Sequence, residues 1–165
     1  MTIHRRFRSL RGHLAAGAFA GLPAGVVMAA WFSFMTRDGR RFELLRTIAE
    51  VMGTRALGWG LLIHLVLSVL FAAFLSWLLR PSVPAPNVLA WSTFYGIGLF
   101  LVMVYLVLPL LDPPMYAALQ TQLWTFFLAH LLYGGLAGVF LVAWRLRRYW
   151  APGLGRRGRI LGSRR

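Results

Sequence analysis

Four long apolar stretches that hold no charged residue constrain the fold of this chain more than any other feature. They cover residues 14–35, 57–79, 88–111 and 124–144. Each is at least as long as the about 20 residues that an α-helix needs to cross the hydrocarbon core of a bilayer. Because a helix satisfies its own backbone hydrogen bonds in lipid, we expect every stretch to be helical. The sequence therefore predicts an all-α integral membrane protein, folded as a four-transmembrane-helix bundle.

Composition narrows the class of protein further. Of the 165 residues, 59% are hydrophobic and 13% are charged, and none is cysteine. Without cysteine the chain has no disulfide, no thiol nucleophile and no cysteine-ligated zinc or iron–sulfur site. Length and pattern indicate a single transmembrane domain over residues 1–148, followed by a basic cytoplasmic tail over residues 149–165.

The distribution of arginine predicts how the chain lies in the membrane. All 18 basic residues are arginine. Thirteen of them lie in the two terminal segments and the second loop, and five lie in the first loop. Basic residues favour the cytoplasmic side, so we expect both termini in the cytoplasm and the protein in a bacterial cytoplasmic (inner) membrane. Arginines near the carboxyl end are expected to contact anionic membrane lipids, and no nucleic acid is expected as a partner. The predicted lipid contacts are Arg147, Arg148, Arg156 and Arg157.

The first loop carries an amphipathic segment. Over residues 42–52, apolar side chains recur at helical spacing, with Glu43, Arg46 and Glu50 between them. The pattern predicts one short interfacial helix on the outer membrane surface. The alternative is an ordinary loop helix packed on the mouth of the bundle.

Small residues recur at four-residue spacing in three of the four stretches, and each series follows a histidine. Residues four apart share a helix face, where small side chains let two backbones approach closely in lipid. The series predict helix–helix contact faces and histidines that point into the bundle. The predicted packing residues are Gly17, Gly21 and Gly25 after His13, Ser68, Ala72 and Ser76 after His64, and Gly134 and Gly138 after His130. The third stretch has only Gly96 and Gly98, so its helix is expected to be more peripheral or to face a partner.

His64 and His130 are the candidate ligand-binding residues. They lie seven and six residues into their stretches, at similar depth in the membrane. In the structural hypothesis each imidazole is hydrogen-bonded, with the side chains of Ser68, Tyr95, Gln122 and Tyr133 as candidate partners. In the alternative hypothesis they are axial ligands of a b-type haem or of a chlorophyll-like pigment. A metal site or a proton relay is a further alternative, but the stretches hold no carboxylate.

A weak internal repeat accompanies the histidine pair. With His64 aligned on His130, Phe74 falls on Phe140, and Val27-Met28 resembles Val102-Met103. Two helical hairpins related by a pseudo-twofold axis along the membrane normal would explain the matched depths.

Several short motifs occur together along the chain. They are Gly17, Gly21 and Gly25 in the first helix, His64, Ser68 and Phe71-Ala72 in the second, Pro109 and Pro113-Pro114 at the end of the third, and His130-Leu131 and Arg147-Arg148 in the last. In these motifs the chain resembles the YagU-like family of small multi-pass inner-membrane proteins of bacteria. The resemblance implies a bacterial inner membrane and four helices, and it implies no reaction and no substrate.

The function that these features favour is non-catalytic, because no catalytic residue grouping, nucleotide loop or metal-ligand motif is evident. We expect a membrane protein that acts through helix packing, as an accessory or structural subunit of a larger membrane complex or as a homo-oligomer, with no cofactor. The expected docking face is the third helix, with Phe94, Tyr95, Phe100, Met103 and Tyr105. The alternatives are a redox or pigment-binding module that uses His64 and His130, and a small transporter or channel.

Overall fold

The computed structural model describes residues 3–35, 43–50, 52–79, 83–111, 116–117 and 119–150. These residues form helices and turns and no strand. A π-helical turn, Met103–Val107, joins the fourth helix to the fifth, and a 3-10 turn, Gln120–Gln122, leads into the sixth. The helices are α1 (Ile3–Met35), α2 (Glu43–Glu50), α3 (Leu57–Leu78), α4 (Ala85–Val102), α5 (Leu108–Leu111) and α6 (Leu123–Trp150).

Four helical segments are long and apolar enough to cross a membrane, which confirms the predicted all-α membrane fold. They cover Leu10–Phe34, Leu57–Leu78, Ala85–Leu110 and Leu123–Arg147. The first and last helices extend further than their apolar stretches, since α1 begins at Ile3 and α6 ends at Trp150. Arginine is a good helix former, so helices continue beyond the apolar segments. The rest of the predicted basic tail, residues 151–165, lies outside the described residues.

The third span contains a wide turn before a proline. In a regular α-helix, the ring of Pro109 would clash with the carbonyl of Tyr105, four residues earlier. The π-helical turn Met103–Val107 lies directly before this position. Local π-helical turns accommodate proline within membrane helices. The span therefore continues, with Val104 and Leu108 both buried on its inner face.

The short helix expected in the first loop is present as α2 and packs against α3. Leu45 and Ala49 on its apolar face are buried, and Arg46 and Glu50 on the opposite face are exposed. Gly60 of α3 lies so close that a Cβ there would collide with the Leu45 carbonyl. The helix is therefore amphipathic, as predicted, and has the bundle-packed arrangement of the two that the sequence left open.

The four spans contact one another in the order α3, α1, α6, α4. The central spans, α1 and α6, are 44% buried, whereas those of α3 and α4 are 28% and 22% buried. The span containing α4 is thus the most peripheral of the four, as the sequence predicted.

Candidate functional site

Glycines of α1 bring α1 into backbone contact with α3. A Cβ added at Gly17 would lie 2.6 Å from the carbonyl oxygen of Val69, and one at Gly21 would collide with the Ser68 carbonyl. At Gly25 a Cβ would lie 2.7 Å from the Ser68 Cβ. The predicted face of α3 receives these glycines, since Ser68 and Ala72 are buried. Residues larger than glycine at these three positions would force the two helices apart.

A second backbone contact joins α4 to α6. A Cβ at Gly134 would collide with the Ser92 carbonyl, and a Cβ at Gly138 would lie 2.8 Å from the Ser92 Cβ. Gly96 faces Gly134, with its added Cβ 3.1 Å from the Gly134 Cα. The expectation that the third span lacks a small-residue face was wrong. Its face is built from Val88, Ser92 and Gly96, so only two small residues follow the larger Val88 and no long small-residue series marks the face.

His64 links α3 to α1 through a backbone carbonyl. Its Nε2–H donates to the Gly25 carbonyl oxygen at 3.0 Å, because a carbonyl only accepts. At the other end of the same helix pair, His13 Nδ1 and Ser76 Oγ form a hydrogen bond of 3.0 Å. His13 is therefore separate from the other histidines, as its sequence position predicted.

His130 has a carbonyl acceptor of its own within α6. Its Nδ1–H donates to the Phe126 carbonyl oxygen at 2.9 Å. The imidazole also packs on the rings of Phe126 and Phe100, at centroid distances of 4.5 Å and 6.0 Å. Both His64 and His130 lie seven residues after the first residue of their helices, and both are buried. Their positions along the two helices therefore match, but each imidazole is bonded to a different carbonyl.

The hydroxyl groups proposed as imidazole partners are bonded elsewhere. Ser68 Oγ donates to the His64 carbonyl at 2.8 Å. Tyr133 donates from α6 to the Ser68 carbonyl at 2.6 Å, and Tyr95 donates from α4 to the Phe71 carbonyl at 3.0 Å. The expectation of side-chain partners for His64 and His130 was wrong, because backbone carbonyls accept from both imidazoles and from all three hydroxyl groups, some within the same helix and some in a neighbouring one.

Contacts in the two helix pairs correspond at constant offsets. An offset of 75 in residue number relates α1 to α4, and an offset of 66 relates α3 to α6. With these offsets the Gly21–Ser68 contact corresponds to the Gly96–Gly134 contact. The same offsets turn the Gly25–His64 hydrogen bond into the Phe100–His130 ring contact. The internal repeat suggested by the sequence therefore relates helix–helix contacts of the two halves as well as residue types.

The correspondence ends at the contacts between the two pairs. We call the contact of α1 with α6 the closed seam. Its ring pairs are Phe19 with Phe140 at 6.1 Å, Phe19 with Trp144 at 5.3 Å and Phe32 with Phe126 at 5.2 Å. The Trp31 indole also donates to the Thr125 carbonyl at 3.2 Å.

The equivalent place between α3 and α4 is a cleft, which we call the open seam. It has a volume of about 540 Å³. Apart from the Tyr95 hydroxyl, its lining is apolar. The lining residues are Leu70, Phe71 and Phe74 of α3 and Tyr95, Gly98, Leu99 and Val102 of α4.

The expected docking face of the third span is only partly exposed. Phe94 and Tyr105 are 64% and 66% exposed. Phe100 is buried against Phe127 and His130, so its assignment to a docking surface was wrong. Phe100 lies four residues after Gly96, on the same inward face, which explains its orientation.

Arginines of α6 lie at the end of the bundle where α3 ends and α4 begins, which we call the basic end. Arg145 donates to the carbonyls of Leu79 and Val83, both at 3.1 Å, and so joins α6 to the loop between α3 and α4. Arg147 is exposed, and Arg148 continues the helix. Two further predicted lipid contacts, Arg156 and Arg157, lie outside the described residues.

Within the described ranges, His, Asp and Glu side chains do not gather into a group of three that would hold a metal ion. Comparison of the chain with protein-family models, with curated protein sequences and with solved structures finds no match in any of the three.

Proposed function

We propose that this protein is a non-catalytic membrane protein that acts through helix packing, as an accessory or structural subunit of a larger membrane complex or as a homo-oligomer. The observation that carries the proposal is the hydrogen bonding of the buried polar side chains. Each one described in the spans is bonded to a backbone carbonyl, and the set is Ser33, His64, Ser68, Ser92 and His130. Groups used in this way stabilise a bundle, and they present no array of donors or acceptors to a substrate.

The proposed orientation follows from charge. Glu43 and Glu50 of α2 lie at the end opposite the basic end, and the sequence assigns Asp38 and Asp112, the other two acidic residues, to the loops on that same side. Since positive loops stay on the cytoplasmic side, the basic end and both termini face the cytoplasm in this proposal. The resemblance to the YagU-like family supports placement in a bacterial inner membrane.

The proposed docking face is the outward side of α4. Trp91, Phe94, Leu101 and Tyr105 are all exposed there, on the least buried span of the bundle. Large aromatic side chains are enriched at protein–protein interfaces. This face lies opposite Ser92 and Gly96, so a partner would not disturb the contact with α6.

Haem ligation by His64 and His130 is the alternative that the geometry supports less well. The Nε2 of His64 is bonded to Gly25. The space beside Gly134 and Gly138, which a macrocycle would need, is filled by the Ser92 region of α4. A transporter or channel is likewise less well supported, since no charged side chain lies in the apolar core of the spans.

Site-directed photo-crosslinking in membranes tests the proposal. Benzoylphenylalanine at Phe94 or Tyr105 should give a discrete protein adduct, either to a second copy or to another subunit. The matched control is Val139 of α6, which is 51% exposed and lies away from α4's outward face. Absence of a protein adduct at both α4 positions would overturn the docking proposal. A Soret band in the purified protein would overturn the non-catalytic assignment in favour of haem binding.

A further inference from the structure

The open seam is too narrow for another helix. The Tyr95 hydroxyl reaches the Phe71 carbonyl directly, at 3.0 Å, so a single tyrosine side chain spans the distance between α3 and α4. A helix with its side chains is about 10 Å across and does not fit between them at this level. The occupant of the cleft must therefore be thinner than a helix.

The walls of the cleft also lack the features that bind a helix from outside. The tight contacts of this bundle, α1 with α3 and α4 with α6, both place glycine against backbone. In the cleft only Gly98 is small, and Phe94 and Val102 lie four residues before and after it. Helix association in lipid favours small residues at four-residue spacing, which this wall does not have.

One end of the cleft points toward the basic end. Arg145 and Arg147 lie there, and Arg148 follows them in α6. The two acidic residues that the structure describes, Glu43 and Glu50, belong to α2, which packs on the opposite end of α3. A molecule that enters the cleft from the basic end therefore meets positive charge first, which favours an anionic headgroup.

The near part of the cleft lies within one leaflet of the basic end. Tyr95 lies ten residues after the first residue of α4, about 15 Å along the helix at 1.5 Å per residue, and Phe74 lies four residues before the last residue of α3, about 6 Å along it. Half of a hydrocarbon core of about 30 Å is also about 15 Å. Val102, seventeen residues after the first residue of α4, lies about 26 Å along the helix, at the far end of the cleft. An acyl chain whose headgroup lies at the basic end would therefore reach the near part of the cleft, at Phe74 and Tyr95.

From these observations we propose that the open seam binds one acyl chain of an anionic phospholipid, with the headgroup at the arginine-bearing basic end. The chain packs on Leu70, Phe71 and Phe74 of α3 and on Tyr95 of α4, and Gly98 leaves space for its end. This site adjoins the docking face proposed above, because Phe94 of that face lies one helical turn before Gly98, but it is lined by both α3 and α4.

Native mass spectrometry of the full chain, released from nanodiscs that contain equal amounts of palmitoyl-oleoyl phosphatidylglycerol and phosphatidylcholine, tests the site. The wild type should retain one phosphatidylglycerol per chain, at least fivefold in preference to phosphatidylcholine. Gly98→Phe should reduce this retention at least fivefold by filling the cleft. A Cβ at Gly98 meets no atom within 4 Å, so the variant should fold.

The matched control is Gly58→Phe. Gly58 also has open space around it, and it lies twelve residues before Leu70, about 18 Å along α3. It should retain lipid as the wild type does. A second blocking variant, Leu70→Trp, keeps the test decisive should Gly98→Phe yield no folded protein, because Leu70 is exposed on the cleft wall.

Three results would overturn the proposal. Unchanged retention in the folded blocking variants would mean that the lipid lies elsewhere on the surface. Equal retention of phosphatidylcholine would remove the role of the basic end. A dimer that carries no lipid, and that Gly98→Phe converts to a monomer, would identify a second copy of the chain as the occupant.

Discussion

The closed seam and the open seam occupy equivalent places in the two halves of the molecule, yet only one of them is filled by protein. In the closed seam, Phe19 meets Phe140 edge to face at 6.1 Å. The offsets that relate the two halves place Phe94 and Phe74 at the equivalent positions. In the described structure these two rings contact Trp91, Trp77 and Tyr95 rather than each other, and both are exposed.

The difference shows that aromatic side chains do not by themselves bring helices together in this bundle. The positions of α3 and α4 are set by glycine contacts with α1 and α6, respectively. Those contacts admit little adjustment, because backbone meets backbone. The α1–α3 and α4–α6 contacts together determine the distance between α3 and α4. Among the described residues, only Tyr95 bridges that distance by a hydrogen bond.

The largest effect is expected from leucine at the glycine contacts that position the two seams. Gly21→Leu and Gly134→Leu each drive a side chain into a carbonyl of the neighbouring helix. Overpacking of this kind should lower the free energy of unfolding by about 3 kcal/mol. The measurement is the unfolding transition in detergent micelles.

Gly98→Leu is the matched control for this comparison, because its new side chain enters the open seam. It should change the free energy of unfolding by less than about 0.5 kcal/mol. Equal tolerance of leucine at all three positions would show that the glycine faces lie against lipid.

A smaller difference is expected between the two tyrosines that donate to α3. Tyr133 is buried and its hydroxyl lies 2.6 Å from the Ser68 carbonyl, whereas Tyr95 lies at the cleft, 3.0 Å from the Phe71 carbonyl. Interhelical hydrogen bonds in membranes average about 0.6 kcal/mol and reach about 1.7 kcal/mol. Tyr133→Phe should approach the upper value and Tyr95→Phe should stay near the average, as read from unfolding midpoints. A larger loss of stability from Tyr95→Phe than from Tyr133→Phe would contradict the weaker hydrogen bond assigned to Tyr95 in the open seam.

Double-mutant cycles compare the two phenylalanine pairs directly. Alanine at Phe19 and Phe140 should show a coupling energy of about 1 kcal/mol, the usual range for an edge-to-face ring pair. Alanine at Phe74 and Phe94 should show additive effects, within about 0.3 kcal/mol, since the rings do not meet. Coupling of similar size in both pairs would indicate that the open seam closes in the membrane.

The smallest expected effect is the coupling between the histidines. His64→Phe removes a link between α3 and α1, and His130→Phe removes a bond within α6. Because the two imidazoles use different carbonyls, the cycle should be additive within about 0.5 kcal/mol. Strong coupling, accompanied by a visible absorption band in the wild type alone, would instead identify a shared haem site.

Much of the fold could be predicted from sequence because lipid imposes simple rules. The absence of charge over about 20 residues defined each span, and four-residue spacing identified Gly21 and Gly134 as contact positions. The partner of each face could not be predicted, because a small residue permits close approach by any helix. Ser92 and Gly96 were missed for a related reason, since one glycine and one serine do not form a conspicuous series.

The cleft and the hydrogen-bond partners of the histidines could not be predicted from the sequence. Tyr95 and Phe71 are separated by 24 positions, and only the placement of α4 on α6 brings the hydroxyl to that carbonyl. Because every residue has a backbone carbonyl, no residue type in the sequence identifies Gly25 as the hydrogen-bond acceptor for His64. The matched depth of the histidines was predictable because it depends only on their positions within helices of similar length.

Crosslinking of cysteine pairs tests the difference between the seams most directly, and the native chain has no cysteine to interfere. Two double variants are compared in lipid, Phe19→Cys with Phe140→Cys for the closed seam and Phe94→Cys with Phe74→Cys for the open seam. A short bifunctional thiosulfonate should join the first pair within one chain and leave the second pair unjoined. Equal crosslinking of both pairs, or crosslinking of the second pair alone, would contradict the account of one closed and one open seam.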